Sequence, residues 1–189
     1  MVKGYIRPDA DAIDIGANIG FFTVLFAKRI SPHHRVLAVE PTLGAIKRLR
    51  KNLQANSISS KVVVFEGAIS SYNGTTDIDV VDGHEEYSSI GGIAHPKMVG
   101  KSVHTQSVEC ATLDSLVQMH GLKPGIVKID VEGNEHLVIS GAKRTIEIYQ
   151  PVVIMELVDS LLNKHHSSVK DVISQCASLG YVATGVREQ

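Results

Sequence analysis

The sequence of 189 residues predicts an α/β fold built on a doubly wound, mostly parallel sheet. Segments with the periodicity of strands alternate with segments that have the periodicity of helices, and such alternation places helices on both faces of a sheet. A glycine-containing turn, residues 14–20 with the sequence DIGANIG, joins the first apolar strand to the first apolar helix. The length and the 43% apolar content suit one domain, residues 1–189, with a single core.

The elements of the main sheet are recognised by their apolar patterns. Each predicted strand is a short apolar run, and the predicted helices have apolar residues three or four positions apart. The predicted strands are residues 10–15, 36–40, 62–66, 126–130 and 152–157. The predicted helices are residues 19–30, a segment that begins at 41–42, a short helix at 113–117, and residues 135–146.

The last part of the chain adds a helix and a strand. Ser168 and Asp171 resemble a capping box, and apolar residues recur at helical spacing as far as Ala177. We therefore predict a helix that ends at Gly180, followed by a sixth strand at residues 181–186.

The alternation lapses between residues 67 and 112. Residues 75–81 and 103–109 have the pattern of an added antiparallel pair, and they flank a loop at residues 82–102. A loop of this length inside a compact domain is typical of a lid, a binding loop or a disordered segment. We expect the loop to contribute to substrate specificity.

The turn at residues 14–20 predicts a nucleotide site. Its glycines allow backbone to approach a ligand, and Glu40 lies about 20 residues further on, the spacing of an acid that accepts hydrogen bonds from ribose hydroxyls. A dinucleotide site needs a glycine where this turn has Asn18. The Asp14 carboxylate would repel a pyrophosphate but suits a nucleoside with a positive amino group. The turn therefore favours S-adenosylmethionine over NAD.

A second group of polar residues lies on the fourth strand. Central strands of parallel sheets are nearly all apolar, yet Lys128, Asp130 and Glu132 interrupt this one and share a side while the strand continues. A buried lysine needs a carboxylate neighbour. In the usual strand order Asp14 and Glu156 end the adjacent strands, so they should converge with Asp130 where ligands bind. A structural ion pair that holds a loop is the alternative.

With these residues, the chain resembles the FkbM family of S-adenosylmethionine-dependent methyltransferases over nearly its whole length. The glycine turn at residues 14–21 and the sequence KIDVEGNE at residues 128–135, in this order and at this spacing, make the resemblance specific. Further matches lie at residues 36–41, Asn52, Asn56, 66–70, 112–114 and 151–156. The resemblance implies a Rossmann-like class I methyltransferase fold. Because a full class I sheet has seven strands, it also implies a shortened C-terminal edge.

The resemblance implies a role for each matching position. The turn would hold the methionine end of the cofactor, with Phe21 directly after it, and Glu40 would bind the ribose hydroxyls, with Pro41 beside it. Gly67 and Ala68 would contact adenine, and Asp130 would lie next to the amino group or the sulfonium. The turn residues concerned are Asp14, Gly16, Ala17, Asn18 and Gly20. Phe21 and its neighbour Phe22 are also expected in the core.

The resemblance implies O-methylation of a hydroxyl on a polyketide, a sugar or a related small molecule. An alcohol is a weak nucleophile, so we expect Asp130 or Glu132 to accept its proton, with Lys128 tuning the pKa of that carboxylate. We expect no metal, because Lys128 would compete for the same carboxylates. A module that binds the cofactor without catalysis, in assembly or regulation, is the alternative.

The composition of the chain bears on its partners and its location in the cell. The net charge of −1 and the lack of a basic run are unlike a nucleic-acid-binding protein. No apolar run reaches the ~18 residues that span a bilayer, and the two cysteines lack metal-ligand spacing, so we expect a cytoplasmic protein without membrane association. An uncovered sheet edge would favour a homodimer.

Overall fold

The structure is a computed structural model that describes residues 2–81, 89–90 and 102–185. The strands are β1 Asp11–Ile15, β2 Val36–Val39, β3 Val62–Phe65, β4 Gly67–Ile69, β5 Gly74–Val81, β6 Ser89–Ile90, β7 Val103–Ala111, β8 Pro124–Ile129 and β9 Val152–Met155. The α-helices are α1 Phe21–Ala27, α2 Leu43–Ala55, α3 Leu113–His120, α4 Glu135–Ser140, α5 Lys143–Tyr149, α6 Asp159–Leu162 and α7 Val169–Ser178. Short 3-10 helices occur at Val2–Tyr5, Ser59–Lys61 and Asn163–His165.

The main sheet has five parallel strands in the order β3-β2-β1-β8-β9. Side chains on alternate residues of β1 enter different apolar clusters: Ile13 and Ile15 pack on one face, and Ala12 packs on the other. All three are at most 1% exposed. The predicted α/β fold with a doubly wound parallel sheet is therefore confirmed. The strand order reverses between β1 and β8, so the crevice opens at their carboxyl ends.

A second sheet follows the third strand, in the order β4-β7-β5-β6. Its centre is the antiparallel pair β5–β7, which confirms the predicted insertion. β5 begins one residue earlier than predicted, and β7 ends two residues later. The parallel pairing of β4 with β7 was not expected. Of the predicted loop, residues 82–88 and 91–101 lie outside the described residues.

The predicted helix at residues 135–146 is wrong as one continuous helix. It is divided into α4 and α5, because the backbone at Gly141 packs directly on a neighbouring turn. A Cβ at Gly141 would lie 2.1 Å from the carbonyl oxygen of Ser70. The new helix α5 then begins with its amides at Arg144 and Thr145 donating to the Asp114 carboxylate.

The predicted sixth strand is wrong for residues 181–185, which have no strand structure. Tyr181 donates its hydroxyl to the carbonyl oxygen of Pro151 at 2.6 Å, so this segment is attached by a side chain. Val182 is 85% exposed. Strand propensity without a neighbouring strand to pair with does not produce a strand. Among the described strands β9 pairs only with β8, and homodimer formation stays a prediction.

Within the described residues, no helix combines the length and the apolar character needed to cross a membrane.

Candidate active site

The glycine turn after β1 packs on the end of β8. Gly16 has a φ of 73°, and a Cβ there would lie 1.9 Å from the carbonyl oxygen of Asp130. Gly20 has a φ of 92°, and its Cβ would lie 2.4 Å from Cδ1 of Leu49. Asn18, between them, is also left-handed, with a φ of 49°. Glycine is therefore needed at position 16 because of a backbone contact inside the protein, and at position 20 because of its left-handed backbone.

Asp14 lies beneath this turn and is fully buried. Its Oδ2 accepts a hydrogen bond from Oγ1 of Thr23 at 2.6 Å, and its Oδ1 lies 3.6 Å from Nζ of Lys128. Burial raises the pKa of the Asp14 carboxyl, and the Lys128 ammonium opposes that rise. The charge of Asp14 is thus balanced mainly by Lys128 and is not presented directly to solvent.

Lys128 links both strands of the crevice. Its Nζ donates to the carbonyl oxygen of Gly16 at 2.8 Å and lies 3.3 Å from Oδ2 of Asp130. The same nitrogen lies 5.6 Å from the ring centroid of Phe22. The expectation that a buried Lys128 has carboxylate partners is confirmed, with two partners. Asp130 is the more accessible one, since its side chain is 40% exposed against 1% for Asp14.

Glu40 follows β2 and is nearly buried. Its Oε2 accepts the backbone N–H of Asn18 at 2.8 Å, while its Oε1 accepts both the N–H and the hydroxyl of Thr42, at 3.0 and 2.7 Å. Burial raises the pKa of the Glu40 carboxyl, and these hydrogen bonds oppose the rise. Glu40 therefore fixes the glycine turn relative to α2. A carboxylate accepts about four hydrogen bonds, so capacity remains for a ligand.

Phe21 is 73% exposed at the start of α1, so the expectation that it lies in the core is wrong. Phe22 is partly buried against the core, and the two rings meet edge to face at 5.3 Å. Exposure at the crevice leaves Phe21 accessible to a ligand.

The positions predicted to contact adenine lie on β4. A Cβ at Gly67 would meet the carbonyl oxygen of Glu109 at 2.4 Å, so glycine there permits close approach of β7. The Ala68 side chain packs in the core of the second sheet. Pro41, next to Glu40, is partly buried. Adenine contact at these positions stays a prediction.

The loop after β8 is held from two sides. Oε1 of the buried Glu135 accepts the N–H groups of Val131 and Gly133, at 3.2 and 3.3 Å. A Cβ at Gly133 would lie 2.8 Å from Cδ2 of His165. Between Val131 and Gly133, Glu132 has a left-handed backbone with a φ of 54°. Such a conformation in a non-glycine residue persists where the surroundings impose it, and it is common at functional sites.

Glu156 directly follows β9, and its N–H donates to the carbonyl oxygen of Ile129 at 3.4 Å. Asp130 and Glu156 therefore follow paired positions of β8 and β9, Ile129 and Met155, at the edge where the sequence predicted that these acids converge. In the parts of the chain that the structure describes, no group of three or more His, Cys, Asp or Glu side chains could hold a metal ion.

Sequence reasoning missed three side chains that support the site. Thr23 is a polar residue on the apolar helix α1, Thr42 precedes α2, and Glu135 is the last residue of the KIDVEGNE motif. A single polar residue within an apolar helix was the available signal for Thr23, because a buried hydroxyl needs a partner.

The charges in the crevice indicate which ligand fits. Asp14, Glu40 and Asp130 bring three carboxylates against the one ammonium of Lys128. Oδ1 of Asp14 is buried without a hydrogen-bond partner among the described residues. An acidic crevice favours a cationic ligand and opposes a pyrophosphate. The positive sulfonium and amino group of S-adenosylmethionine fit these residues.

The sequence profile described as the methyltransferase FkbM domain matches residues 14–183. This match confirms the resemblance based on the two motifs.

Solved structures of methyltransferases share the fold, as two examples show. A methyltransferase FkbM from Methylobacillus flagellatus has a TM-score of 0.60 at 16% identity, over 93% of this chain and 38% of that one. A precorrin-6y C5,15-methyltransferase from Geobacter metallireducens has a TM-score of 0.56 at 15% identity, over 96% of this chain and 69% of that one. At such identities the likeness concerns the fold alone.

One characterised protein shares part of the sequence. The AMB antimetabolite synthetase AmbE from Pseudomonas aeruginosa is 34% identical over 89 residues, which cover 47% of this chain and 4% of AmbE. The chain thus spans a small part of AmbE and about two fifths of the Methylobacillus protein.

Proposed function

Since the chain belongs to the FkbM family of methyltransferase domains, we propose that it is an S-adenosylmethionine-dependent O-methyltransferase that acts on a hydroxyl of a small molecule. The observation that carries the proposal is the acidic crevice at the strand switch point, where Asp14, Lys128 and Asp130 meet under the glycine turn. A redox dinucleotide would place a pyrophosphate against these carboxylates.

Asn18 and Glu40 form the part of the site that would hold the nucleoside. The hydrogen bond from Asn18 N–H to Glu40 keeps the glycine turn and the end of β2 at a fixed distance. With three of about four acceptor sites of Glu40 occupied by Asn18 and Thr42, the remaining one accepts a ribose hydroxyl, which is a hydrogen-bond donor. Asp130, the most accessible acid beside Lys128, attracts the amino group or the sulfonium.

Bound S-adenosylmethionine supplies an electrophilic methyl group on a positively charged sulfur. The protein holds the acceptor oxygen in line with that methyl group and excludes water, and alignment of this kind contributes roughly 7–11 kcal/mol to other reactions. The glycine turn and the loop after β8 provide fixed walls for this alignment, since both are packed without room for a Cβ at Gly16 or Gly133.

A carboxylate beside the acceptor would take the hydroxyl proton as the new oxygen–carbon bond forms and the carbon–sulfur bond to the methyl group breaks, with S-adenosylhomocysteine as the leaving group. Asp130 and Glu132 are the two candidates. Lys128 holds Asp130 by an ion pair at 3.3 Å, and the Glu135 contacts hold the loop that carries Glu132. Proton transfer by such a base contributes about 10²–10⁴-fold to the rate.

The proposal is tested in two steps. Calorimetry should show one-to-one binding of S-adenosylmethionine and S-adenosylhomocysteine, with no binding of NAD at the same concentrations. Transfer of a labelled methyl group to hydroxylated acceptors then tests catalysis. Tight binding without transfer to any acceptor would favour the alternative of a non-catalytic module. Binding of NAD alone would overturn the assignment.

A further inference from the structure

The Phe21 ring lies in solvent at the edge of the crevice and is held there by a second ring. Phe21 is the first residue of α1, directly after the glycine turn, and it is 73% exposed. Its ring meets that of Phe22 edge to face, with 5.3 Å between the centroids. Phe22 is fixed in turn by the core, where its ring centroid lies 6.1 Å from that of the buried Phe26. Phe21 therefore presents an apolar ring whose orientation is already set, which lowers the entropy lost when a ligand binds.

This pair of rings lies on the β8 side of the glycine turn. Nζ of Lys128, on β8, lies 5.6 Å from the ring centroid of Phe22 and 3.3 Å from Oδ2 of Asp130. Glu40, which would bind the ribose, follows β2 on the other side of β1, because the strand order is β2-β1-β8. Phe22 thus connects the exposed Phe21 ring to the part of the crevice that contains the candidate base, and not to the part that would hold the nucleoside.

The exposed ring indicates the shape of the molecule that it would bind. Aromatic rings pair with one another in stacked or edge-to-face arrangements and gain more than the burial of their area alone. The carboxylates of Asp14, Glu40 and Asp130 make the crevice acidic, so an anionic molecule would be repelled. A neutral molecule with a flat aromatic ring suits both observations.

The chemistry of the candidate bases favours an acceptor of the same kind. The side chains of Asp130 and Glu132 are carboxylates, which are weak bases. A phenol, whose pKa is about 10, gives up its proton to a weak base much more readily than a simple alcohol does. A hydroxyl attached directly to an aromatic ring therefore matches the carboxylate as well as the exposed ring.

We propose that Phe21 binds the methyl acceptor and that the acceptor is a neutral phenol on a planar aromatic skeleton. The skeleton stacks on the Phe21 ring, and the hydroxyl lies beside Asp130. The phenolic oxygen bonds to the methyl carbon as the methyl–sulfur bond breaks, S-adenosylhomocysteine leaves, and the phenolic proton passes to the Asp130 carboxylate. This inference rests on the proposed methyltransferase function and specifies its substrate class. It gives Phe21 a contact with the acceptor in place of the cofactor contact that the family resemblance implies.

Naphthol and its saturated analogue decalol test the stacking, because they share a carbon skeleton and a hydroxyl, and only naphthol is flat and aromatic. Binding is followed in NMR spectra of protein labelled in its four phenylalanine rings, with and without S-adenosylhomocysteine. Naphthol should shift the signals of the Phe21 ring and leave those of the buried Phe26 ring unchanged. Naphthol that binds without moving the Phe21 signals would overturn the proposal.

Phe21→Leu keeps an apolar side chain and removes the ring. It should weaken naphthol binding about two- to tenfold, as expected for the loss of an aromatic pair, and leave decalol binding unchanged. Phe21→Tyr keeps the ring and should bind naphthol as the wild type does. The matched control is Tyr5→Leu, which removes a ring that is 51% exposed and precedes the amino end of β1, and it should change neither affinity. Equal loss of naphthol and decalol binding in Phe21→Leu would refute the stacking.

Titration of the same variants with S-adenosylmethionine separates an acceptor contact from a cofactor contact. The Kd for S-adenosylmethionine should be the same in Phe21→Leu and in the wild type, and a higher Kd in the variant would return Phe21 to the cofactor site. With S-adenosylmethionine bound, the wild type should methylate naphthol and not decalol. Transfer to decalol alone would refute the assignment of the acceptor as a phenol.

The outcomes also distinguish this inference from the proposed function. Protein that binds S-adenosylmethionine but does not bind naphthol at Phe21 refutes the role of Phe21 and leaves the proposed function standing. Protein that binds naphthol at Phe21 but does not bind S-adenosylmethionine refutes the proposed function, and with it the assignment of the phenol as a methyl acceptor.

Discussion

Replacement of Lys128 by methionine removes the ammonium group while keeping a side chain of similar length. Nζ of Lys128 lies 3.6 Å from Oδ1 of Asp14, which is fully buried. At an effective dielectric constant of about 20, charges at this distance attract by about 5 kcal/mol. Because removal of one partner leaves a buried charge uncompensated, we expect Lys128→Met to lower the free energy of unfolding by about 3–5 kcal/mol.

The loss of stability in Lys128→Met should depend on pH. Burial raises the pKa of Asp14 above 3.8, and without Lys128 that pKa rises further. The folded state then binds a proton more readily than the unfolded chain. The stability that proton binding to Asp14 contributes is therefore fully present below the pKa of Asp14 in the unfolded chain, and it is lost as the pH rises through the pKa of Asp14 in the folded protein. The destabilisation by Lys128→Met should be larger near about pH 7 than near about pH 4.

Urea denaturation of a double-mutant cycle measures this coupling. Asp14→Asn removes the buried charge and keeps the shape, so Asp14→Asn combined with Lys128→Met should be more stable than Lys128→Met alone by about 2 kcal/mol or more. Additive effects of the two substitutions, or a loss that is the same at both pH values, would refute the assignment of Lys128 as the counter-ion of Asp14.

Three further outcomes are expected. Asp130→Asn or Glu132→Gln, whichever removes the base, should lower kcat by about 10²–10⁴-fold; Glu132→Gln should leave the Kd for S-adenosylmethionine unchanged, whereas Asp130→Asn should also raise it, and full turnover in both variants would place the base elsewhere. Glu40→Ala should weaken S-adenosylmethionine binding by about 1.5–3 kcal/mol in calorimetry, because charge-assisted hydrogen bonds are lost, and an unchanged Kd would exclude Glu40 from the ribose site. Gly16→Ala should lower the Tm severely, since its Cβ would lie 1.9 Å from a backbone oxygen. The control Gly121→Ala, also left-handed but with nothing within 4 Å, should cost only about 1–2 kcal/mol.

The sequence was sufficient to predict those features of the structure that one local pattern determines. The apolar runs located every strand of the main sheet, because central parallel strands are buried on both faces. The partnership of Lys128 with carboxylates followed from the cost of burying an unpaired ammonium. The exposure of Phe21 did not follow, since a phenylalanine at the first position of a helix has the same apolar character whether or not it faces the core.

Other features depend on contacts between distant parts of the chain. The break between α4 and α5 is set by the approach of Gly141 to Ser70, and no helical pattern shows it. The roles of Thr112 and Asp114 are similar: Thr112 caps α3, while Asp114 accepts amides at the start of α5. A short motif can thus be recognised in the sequence before its contacts are known.

The contact between Gly16 and Asp130 has a consequence for how such a protein can change. The turn that would bind the cofactor and the strand end that carries the candidate base pack backbone to backbone at Gly16, and the Lys128 side chain also joins them, so a side chain at position 16 cannot be used to adjust their separation. Space for a different acceptor must then lie on the β9 side of Gly16 and Asp130, where α7 and the segment after it are more exposed to solvent. Changes in which acceptor is bound would then leave the position of the methyl donor unchanged.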